Sequence, residues 1–506
     1  MGHLPRPKTA TPAPTSTTTT MLPVLAAVIG GLLVAALFFK TSGLLRPSRS
    51  PPVAKEGLPL SIGNLIGFAS GPLKFIERNY RKHGAVFSVP VFHETLTFII
   101  GPTVSAPFFQ NLDDVFSQKE VYGFMKEVFG ANVVYDAEPA KRKQQMQFMA
   151  RGLRAERLKS YVPKIVTETV AYLDEHWGPK GGSCDLLTAL SELTILTSSR
   201  CLHGDDVRET LFKEVSQLYH DLDKGITPVS FFWPRAPLES HRKRDAARVE
   251  MVKLFTDVIQ KRRASSTAKT SSSRTDILQV FVDMTYKDGT QASVDEITGL
   301  LIALLFAGQH TSSITSTWTA LFLCANPAIL DRCVQEQKDV CGDAPLEDLT
   351  YDDLGKMELL HNCIKETLRM HPPLIMLMRK AMTDVTLKDD ESGRTYLIPK
   401  GDIAVTSPAV AGRLPHVFEN PDAFDPDRYA SPREEHKKFP FAHLGFGGGI
   451  HQCMGQQFGY MQVKTIMSVV LRTYALTLES PFPEPDYAAM VVGPKGHPIV
   501  SYKRLK

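Results

Sequence analysis

One stretch of the chain has the spacing of a metal ligand held on a turn: residues 446–455, which read FGGGIHQCMG. Glycines adopt backbone conformations that other residues avoid, so such a turn lets a large flat group approach and leaves N–H groups free to face the sulfur of Cys453. Helical spacing resumes over residues 456–463, which puts the sulfur near a helix N-terminus, where negative charge is favoured. The pattern predicts a thiolate ligand for iron, although a lone cysteine is more often a buried structural thiol.

Polar residues also interrupt a long apolar helix pattern. Residues 293–296, Ser-Val-Asp-Glu, form a capping box that opens the apolar run, and Pro327 ends it. The predicted helix has about thirty residues and a length of about 45 Å, enough to cross a whole domain. In its middle lies FAGQHTSS, residues 306–313, where we expect a local distortion because Gly308 and Thr311 disturb helical hydrogen bonding. Polar side chains there indicate either chemistry or a satisfied buried pair.

The composition limits the classes of function. The chain of 506 residues has 58 basic and 54 acidic side chains, and its net charge of +4 is too balanced for a nucleic-acid-binding surface. Seven cysteines without a C-x-x-C pair or regular spacing argue against a disulfide framework or a zinc cluster and fit a reducing compartment. The length allows several domains or one large enzyme domain, and no nucleic-acid partner is expected.

The N-terminal region predicts a membrane anchor. Residues 1–20 are rich in Pro and Thr and are expected to be disordered. Residues 21–39 are almost wholly apolar, and we prefer a transmembrane anchor to a cleaved signal peptide because the run is long for a signal sequence. A Pro-rich hinge is expected over residues 40–59, and the folded domain over residues 60–506. More basic residues follow the apolar run than precede it, which favours a cytosolic folded domain.

The folded domain reads as mostly helical after a short β-rich start. Two β-rich runs within residues 86–100 predict a hairpin. Residues 121–152 contain aromatic side chains without a clean helical period, and such clusters are more often core packing than a ligand pocket. Long helical patterns dominate residues 141–263.

The stretch around Cys453 resembles the haem-thiolate signature of the cytochrome P450 superfamily, which carries Phe, Gly, Cys and Gly at the positions of Phe446, Gly449, Cys453 and Gly455. The resemblance implies haem b as the cofactor and Cys453 as the axial ligand of its iron. It also implies a mainly α fold with a small β-rich lobe, preceded by a single N-terminal transmembrane helix. In this fold the haem lies between the long helix and the cysteine loop.

A charged pair elsewhere matches the same superfamily. Glu366 and Arg369 lie at i and i+3 on one helix face, a spacing that by itself indicates a solvated surface pair of little energetic value. They match the E-x-x-R helix of the superfamily, and residues 424–428 match the segment that adds a second arginine, Arg428. The resemblance implies that Glu366, Arg369 and Arg428 form a structural network that fixes the loop of Cys453.

Five side chains are implied as contacts of the haem propionates. Arg379 follows the run PPLIMLM, and His451 lies two residues before the cysteine. The superfamily often has arginines beside this histidine, whereas this chain has an isoleucine and a glutamine, which weakens the local cationic contact. Tyr122, Tyr135 and Lys143 are further candidates, each of which also reads as an ordinary core or surface residue.

Four stretches narrow the resemblance to the sterol 14α-demethylase family: VYGFMKEVFGANVVYD, HDLDKG, FAGQHTSS and PDYAAMVVGP, within residues 55–506. The detail GIHQCMGQQF is most similar to protozoan and plant-like members. The implied reaction removes the methyl group at C14 of a sterol precursor by way of an alcohol and an aldehyde, with loss of formic acid. It uses O2 and electrons from NADPH-cytochrome P450 reductase at the endoplasmic reticulum membrane.

The resemblance also implies how protons reach bound oxygen. FAGQHTSS has His310 before Thr311, where most of the superfamily has an acid before the threonine. These two residues are the polar pair placed on the long helix for proton transfer. Asp221, from HDLDKG, is the predicted carboxylate partner of His310 from another helix.

An apolar pocket for a rigid sterol is implied by the same resemblance. Its predicted residues, each of which alone also reads as core, are Tyr122, Phe124, Phe129, Ala303, Phe306, Ala307, Leu374, Met376, Met378, Met490 and Val491. Plant-like members carry Phe at the position of Phe124 and favour sterols with one methyl at C4. We therefore expect a preference for obtusifoliol or norlanosterol over lanosterol, unless Phe124 points into the core.

Two other functions remain open on the sequence alone. One is a P450 monooxygenase of another lipid, and the other is a non-catalytic haem-thiolate sensor or carrier. Tight binding of a 14α-methyl sterol, with a low-spin to high-spin shift of the haem iron, favours sterol demethylation over oxidation of another lipid. The absence of any reductase-dependent product favours the second.

Overall fold

The computed structural model describes residues 49–54, 60–91, 94–266 and 275–505. The predicted disordered tail, the predicted membrane anchor and most of the predicted hinge lie outside the described residues. All of the candidate site residues lie inside them.

The described part of the chain is mainly helical. Its α-helices are α1 (Leu60–Ser70), α2 (Pro72–His83), α3 (Ala106–Gln110), α4 (Lys119–Tyr122), α5 (Lys126–Phe129), α6 (Pro139–Gly152), α7 (Ala155–His176), α8 (Leu186–Ser198), α9 (Asp205–Thr210), α10 (Phe212–Lys224), α11 (Pro228–Phe232), α12 (Glu239–Ser266), α13 (Ile277–Val282), α14 (Val294–Ala325), α15 (Pro327–Cys341), α16 (Tyr351–Lys356), α17 (Glu358–Met370), α18 (Pro408–Ala411) and α19 (Gln456–Thr473). A π-helical turn, Ser199–His203, follows α8. Short 3-10 turns lie at Gly123–Met125, Leu346–Asp348, Pro426–Tyr429, Glu435–Lys437 and Gly449–His451.

The strands form small sheets at the edge of the helical part. They are β1 (Val86–Val91), β2 (Glu94–Ile99), β3 (Phe116–Ser117), β4 (Gly182–Asp185), β5 (Leu377–Ala381), β6 (Val385–Asp389), β7 (Arg394–Ile398), β8 (Ile403–Thr406), β9 (Tyr474–Leu478) and β10 (Ile499–Arg504). The five-stranded sheet has the order β1-β2-β8-β5-β3, and β1 pairs antiparallel with β2, which confirms the predicted hairpin. The mainly α class with a small β-rich part is also confirmed.

The longest described helix, α14, begins at the predicted capping box. The hydroxyl of Ser293 accepts from the N–H of Glu296 at 3.1 Å, and the carboxylate of Glu296 accepts from the N–H of Ser293 at 2.9 Å. These two bonds satisfy backbone donors that a helix N-terminus otherwise leaves free. The helix ends at Ala325, and Pro327 starts α15 after it, as the sequence predicted.

The expected distortion in the middle of α14 was wrong, because the helix runs through residues 306–313 without interruption. The hydroxyl of Thr311 does donate to the carbonyl of Ala307, at 2.6 Å. Such a bond shares the carbonyl with the helix and does not have to break the helical ladder. The polar residues of this segment are therefore held on a regular helix.

Helix α14 is long and apolar enough to cross a membrane. Among the described helices it is the one with both properties. Its most apolar stretch is 61% buried inside the protein. It packs against α8, α17 and α19, so it is the central helix of the core. Burial of each large apolar side chain in such a place contributes about 1.5–3 kcal/mol.

Candidate active site

Cys453 lies on a turn that glycines make possible. Gly447 and Gly449 have left-handed backbone conformations, with φ of 69° and 64°, which other residues rarely adopt. The N–H of Cys453 donates to the carbonyl of Phe446 at 3.0 Å and closes the turn. Helix α19 begins at Gln456, so the sulfur stands just before a helix N-terminus, as the sequence predicted.

Gly449 also allows the loop to pack closely against α3. A Cβ atom built on Gly449 would lie 2.0 Å from the carbonyl oxygen of Phe109, far closer than real contacts permit. Phe109 stacks on Phe441 with ring centroids 4.8 Å apart, which joins α3 to the segment before the loop. A side chain at residue 449 would therefore displace the loop that carries Cys453.

The thiol of Cys453 differs from the buried cysteines of the core. Burial among protein atoms raises its pKa, because the thiolate is the charged form, and a hydrogen bond from the N–H of Gly455 lowers it. The side chain nevertheless remains exposed, in contrast to the sealed thiols of Cys201, Cys333 and Cys363. Surrounded by protein and yet accessible, the sulfur has the placement of a ligand rather than of a core cysteine.

A buried ion network lies beside this loop. Arg369 donates to both carboxylate oxygens of Glu366, at 2.8 Å each, and Arg428 donates to one of them at 3.0 Å. The hydroxyl of Tyr429 donates to the other oxygen at 3.0 Å. The three charged side chains are fully buried, so Glu366 and Arg369 are not the exposed pair that their spacing alone suggests. The predicted contacts among Glu366, Arg369 and Arg428 are present in the structure.

Helix α17 connects this network to the cysteine loop. Arg369 donates to the carbonyls of Gly412 and Pro421 at 2.6 Å each, which holds the segment after α18 against the helix. His443, which precedes the loop, has its Nε2 at 3.0 Å from the carbonyl oxygen of Lys365 on α17. The position of the loop thus depends on α17 from two sides.

Arg379 on β5 is a buried cation. Its side chain donates to the carbonyl of Phe108 and lies over the Phe108 ring, 4.3 Å from the centroid. Burial lowers its pKa to about 10, because the charged form loses hydration, and the more distant carboxylate of Asp113 opposes this shift. No carboxylate of the described residues forms an ion pair with it. A haem propionate fits this site as the counter-charge.

His451 meets a carboxylate in the same region. Its Nε2 lies 3.3 Å from Oδ1 of Asp113, an ion-pair distance without hydrogen-bond geometry, and both atoms are buried. The other oxygen of Asp113 accepts from Arg142 at 3.0 Å. Burial raises the pKa of Asp113, but His451 and Arg142 outweigh this effect and lower it. Two basic side chains for one carboxylate leave room for a further anion.

Two tyrosines stand beside these cations. The rings of Tyr122 and Tyr135 lie 5.1 Å apart, and the Tyr122 hydroxyl accepts from the N–H of Met378 at 3.3 Å. Burial raises the pKa of both phenols, so both stay neutral and keep a hydrogen to donate. Smaller effects add to that of burial: the charge of Arg379 lowers the pKa of Tyr122, and Cys453 raises that of Tyr135.

Helix α6 directs Arg142, rather than Lys143, at this cluster. The guanidinium of Arg142 lies 5.7 Å from the ring centroid of Tyr135. Lys143 is exposed. Lys143 was the predicted propionate contact, and the burial of Gln145 and Met149, which fixes the rotation of α6, places Arg142 on the inner face instead.

The middle of α14 is less buried than the rest of the helix. Most of α14 is buried on both sides of residues 306–311, where Ala307 is exposed. Ring contacts lead from this helix toward the cysteine side: Phe306 lies 6.0 Å from Phe129, and Phe129 lies 6.4 Å from Tyr135. The accessible thiol, the buried cations and the open helix face together fit a haem.

His310 on α14 pairs with Asp223, so the predicted partner Asp221 was wrong. Nε2 of His310 lies 3.0 Å from Oδ1 of Asp223, whereas Asp221 lies 3.7 Å from the ring of its neighbour His220. Residues two apart on a helix point to nearly opposite sides. Tyr219, whose ring lies 6.0 Å from His310, is four residues before Asp223 and shares its face of α10. The four-residue spacing between Tyr219 and Asp223 is the sequence signal that distinguishes Asp223 from Asp221.

The hydroxyl of Thr311 belongs to a row along α14. Thr315 and Thr319 donate to the carbonyls of Thr311 and Thr315, at 2.6 and 2.7 Å, as Thr311 does to Ala307. Each hydroxyl hydrogen is thus held inside the helix. The hydroxyl oxygen of Thr311 can still accept a hydrogen bond from a further donor.

The predicted pocket residues differ in how far they are buried. Phe124, Phe129 and Ala303 are buried, Tyr122, Phe306, Met376, Met378 and Val491 are half-buried, and Ala307, Leu374 and Met490 are exposed. The N–H of Val492 donates to the carbonyl of Pro373 at 2.8 Å, which brings the C-terminal segment beside residues 372–378. These segments are therefore neighbours in space, although they are distant in sequence.

Two aromatic residues that contact the predicted pocket residues were not themselves predicted. Phe231 on α11 lies edge-on to Phe124 with ring centroids 5.9 Å apart, and Tyr219 lies 4.6 Å from Phe306. Both come from the α10–α12 region. Only the packing of the folded chain shows that their rings contact Phe124 and Phe306.

Comparison with known proteins agrees with this geometry. Residues 51–499 match the family model described as Cytochrome P450. The chain is 47% identical to obtusifoliol 14-alpha demethylase of Triticum aestivum, over 90% of this chain and 99% of that protein. It is 40% identical to lanosterol 14-alpha demethylase of Mus musculus, over 90% and 88%. The higher identity to the plant protein agrees with the plant-like resemblance.

A solved structure gives the same fold. Cyanobacterial CYP120A1 with retinoic acid bound superposes with a TM-score of 0.77, over 91% of this chain and all of that chain, at 20% sequence identity. An identity this low supports the fold alone. Together with the family match over most of its length, these findings show that the chain belongs to the cytochrome P450 family.

Proposed function

We propose that this chain is a sterol 14α-demethylase, which removes the methyl group at C14 of a sterol precursor. The observation that carries this function is the identity of 40–47% with plant and animal proteins named as 14-demethylases, over 90% of the chain. The test is reconstitution with NADPH-cytochrome P450 reductase, O2 and obtusifoliol or lanosterol. Formate and the demethylated sterol are expected, and a haem-loaded protein that converts neither sterol contradicts the function.

Haem b is the cofactor of this family; Cys453 would ligate its iron, and the bound group would supply the activation of O2 with electrons from the reductase. The chain would hold its propionates with Arg379, His451 and the neutral hydroxyls of Tyr122 and Tyr135. Buried cations and neutral donors bind carboxylates strongly because little water competes for them. The residues therefore fix the orientation of the cofactor and leave the chemistry of oxygen to it.

The chain supplies the apolar cavity and the path for protons. Apolar side chains of α14 and of the aromatic segment orient a rigid sterol and exclude water. The side chains of His310 and Asp223 form a pair and are 30% and 39% exposed. The pair therefore contacts solvent, and its histidine lies on α14. An imidazole can accept a proton on one nitrogen and release one from the other. Thr311, the next residue, offers its oxygen as an acceptor.

Asp223→Asn is expected to lower kcat about 10- to 100-fold with little change in sterol affinity, because a hydrogen bond to a charged group contributes about 1.5–3 kcal/mol. Turnover and the spectral Kd for sterol are the measurements. Asp221→Asn is the matched control, since it makes the same charge change on α10 without contact to His310. Equal losses in the two variants would show that the Asp223 pair is not the proton path.

The sterol preference rests on Phe124. Its ring is 8% exposed and is held edge-on by Phe231, so it has a fixed position in the lining. A phenyl ring beside the sterol A ring occupies the volume of a second C4 methyl group. The relatives named for obtusifoliol and lanosterol come from a plant and an animal, and this chain is more similar to the plant protein. We propose that it prefers C4-monomethylated sterols.

Phe124→Leu is expected to reduce this preference about ten- to a hundredfold, because an overpacked apolar contact costs about 1–3 kcal/mol. Competition of obtusifoliol with lanosterol in one assay gives the ratio of kcat/KM directly. Phe148→Leu on α6, outside the lining, controls for a general loss of packing. A wild-type ratio near one that Phe124→Leu leaves unchanged rules the assignment out.

We further propose that residues 21–39 anchor the enzyme in the endoplasmic reticulum membrane, with residues 1–20 as a disordered tail, residues 40–59 as a hinge and the haem domain, from residue 60, in the cytosol. The apolar run and the basic residues after it support this orientation. Glycosylation acceptor sites engineered into the haem domain should stay unmodified in cells. Their modification would reverse the proposed orientation.

A further inference from the structure

The residues proposed to hold the haem propionates lie beside one carboxylate, that of Asp113. This carboxylate would not itself bind a propionate. Asp113 lies between α3 and β3, and it contacts side chains from two other parts of the fold. Arg142, from α6, donates to its Oδ2 at 3.0 Å. His451, from the cysteine loop, places Nε2 3.3 Å from its Oδ1. The N–H of Gln118 also donates to this carboxylate.

These contacts hold the carboxylate against both basic side chains. The side chains of Arg142 and His451 are only 13% and 14% exposed, so both are held inside the protein. Ile450 and Gln452, which flank His451, carry no charge. Among the described residues, Asp113 is the acidic side chain within ion-pair distance of either one. Any orientation that these two side chains have toward the haem edge is therefore set partly by Asp113.

The charge balance gives Asp113 a second effect. Arg142 and Arg379 place positive charge at an edge that two propionates would meet, and His451 adds a ring N–H there. Charges in a partly buried site act on one another more strongly than in water and are weakly screened by salt. A fixed negative charge there makes the addition of an electron to the haem less favourable.

We propose that Asp113 is a positioning residue of the haem edge, which aligns Arg142 and His451 with the propionates and holds the reduction potential of the haem down. The proposal rests on haem binding by this family and not on the identity of the sterol. It assigns a role to a side chain that touches neither substrate nor iron in the proposed reaction.

The test uses the full-length, haem-loaded protein without sterol. Its readouts are the ferric/ferrous midpoint potential by spectroelectrochemical titration and the propionate bending bands in resonance Raman spectra. Asp113→Asn is expected to shift the potential to more positive values and to shift the propionate bands. Asp114→Asn is the matched control, because Asp114 is the exposed neighbour and loses the same charge. Asp113→Glu, which keeps the charge, should retain a potential close to that of the unchanged protein.

Two results would overturn the proposal. One is an Asp113→Asn variant with full haem content whose potential and propionate bands match those of Asp114→Asn. The other concerns folding: if Asp113→Asn fails to bind haem, Asp113→Glu must restore both haem content and potential, and its failure to do so rejects the role. Neither readout depends on sterol turnover, so a wrong sterol assignment leaves this test intact.

Discussion

Cys453→His is expected to abolish sterol oxidation even in the fraction of protein that still binds haem. A thiolate donates electron density to iron and favours cleavage of the O–O bond, which a neutral imidazole does not do to the same degree. The cysteine turn also has little freedom to adapt, because Gly449 packs against the carbonyl of Phe109 and leaves no room for the loop to move inward. We expect activity at background level, the largest effect of any single substitution.

Absorption of the reduced, CO-bound protein is the measurement. The unchanged protein should absorb at the position typical of thiolate ligation, and Cys453→His at the position typical of histidine ligation. Cys341→Ser, at a half-buried thiol on α15, controls for cysteine loss and should leave spectrum and activity unchanged. A histidine-type spectrum from freshly prepared, active, unchanged protein would reject Cys453 as the ligand.

Glu366→Gln is expected to destabilise the haem domain by about 3–5 kcal/mol, the range for breaking a buried ion pair. The substitution leaves Arg369 and Arg428 fully buried with no charge on the side chain that joins them. Arg428 retains Glu435, at 2.7 Å, but Arg369 keeps only carbonyl partners among the contacts described above. Because α17 supports the cysteine loop, haem incorporation should fall with stability.

Haem content per protein and the midpoint of thermal unfolding are the two measurements for this substitution. Glu358→Gln is the matched control, since Glu358 is exposed on the same helix and loses the same charge. The control should behave as the unchanged protein does. A loss of no more than about 1 kcal/mol in the free energy of unfolding is the value typical of a surface ion pair. Such a result for Glu366→Gln would show that the network does not hold the Cys453 loop in place.

Local patterns were enough to predict several parts of this molecule. The capping box of α14, the β1–β2 hairpin and the glycine turn before Cys453 each depend on residues that are close in sequence, so their spacing defines them. The contacts of Glu366 with Arg369 and Arg428 were also predicted, but through a resemblance and not through spacing, which favours an exposed pair.

Features that depend on how helices pack were not available from the sequence. Asp221 and Asp223 lie on the same short helix, and only the packing of α10 on α14 selects the second as the partner of His310. Arg142 and Lys143 are neighbours on α6, and its rotation selects between them. Asp113 had no signal at all, because its partners come from two distant segments.

The polar middle of α14 has a consequence for biosynthesis. A helix this long and apolar is a candidate for insertion into the bilayer while the chain is being made at the membrane. Gln309, His310 and Thr311 lie near its centre, where polar side chains raise the free energy of insertion most strongly. His310 finds its partner Asp223 only after folding, so the nascent helix presents an uncompensated imidazole to lipid. The residues proposed to move protons in the finished enzyme are thus expected to make insertion of this helix into the membrane less favourable.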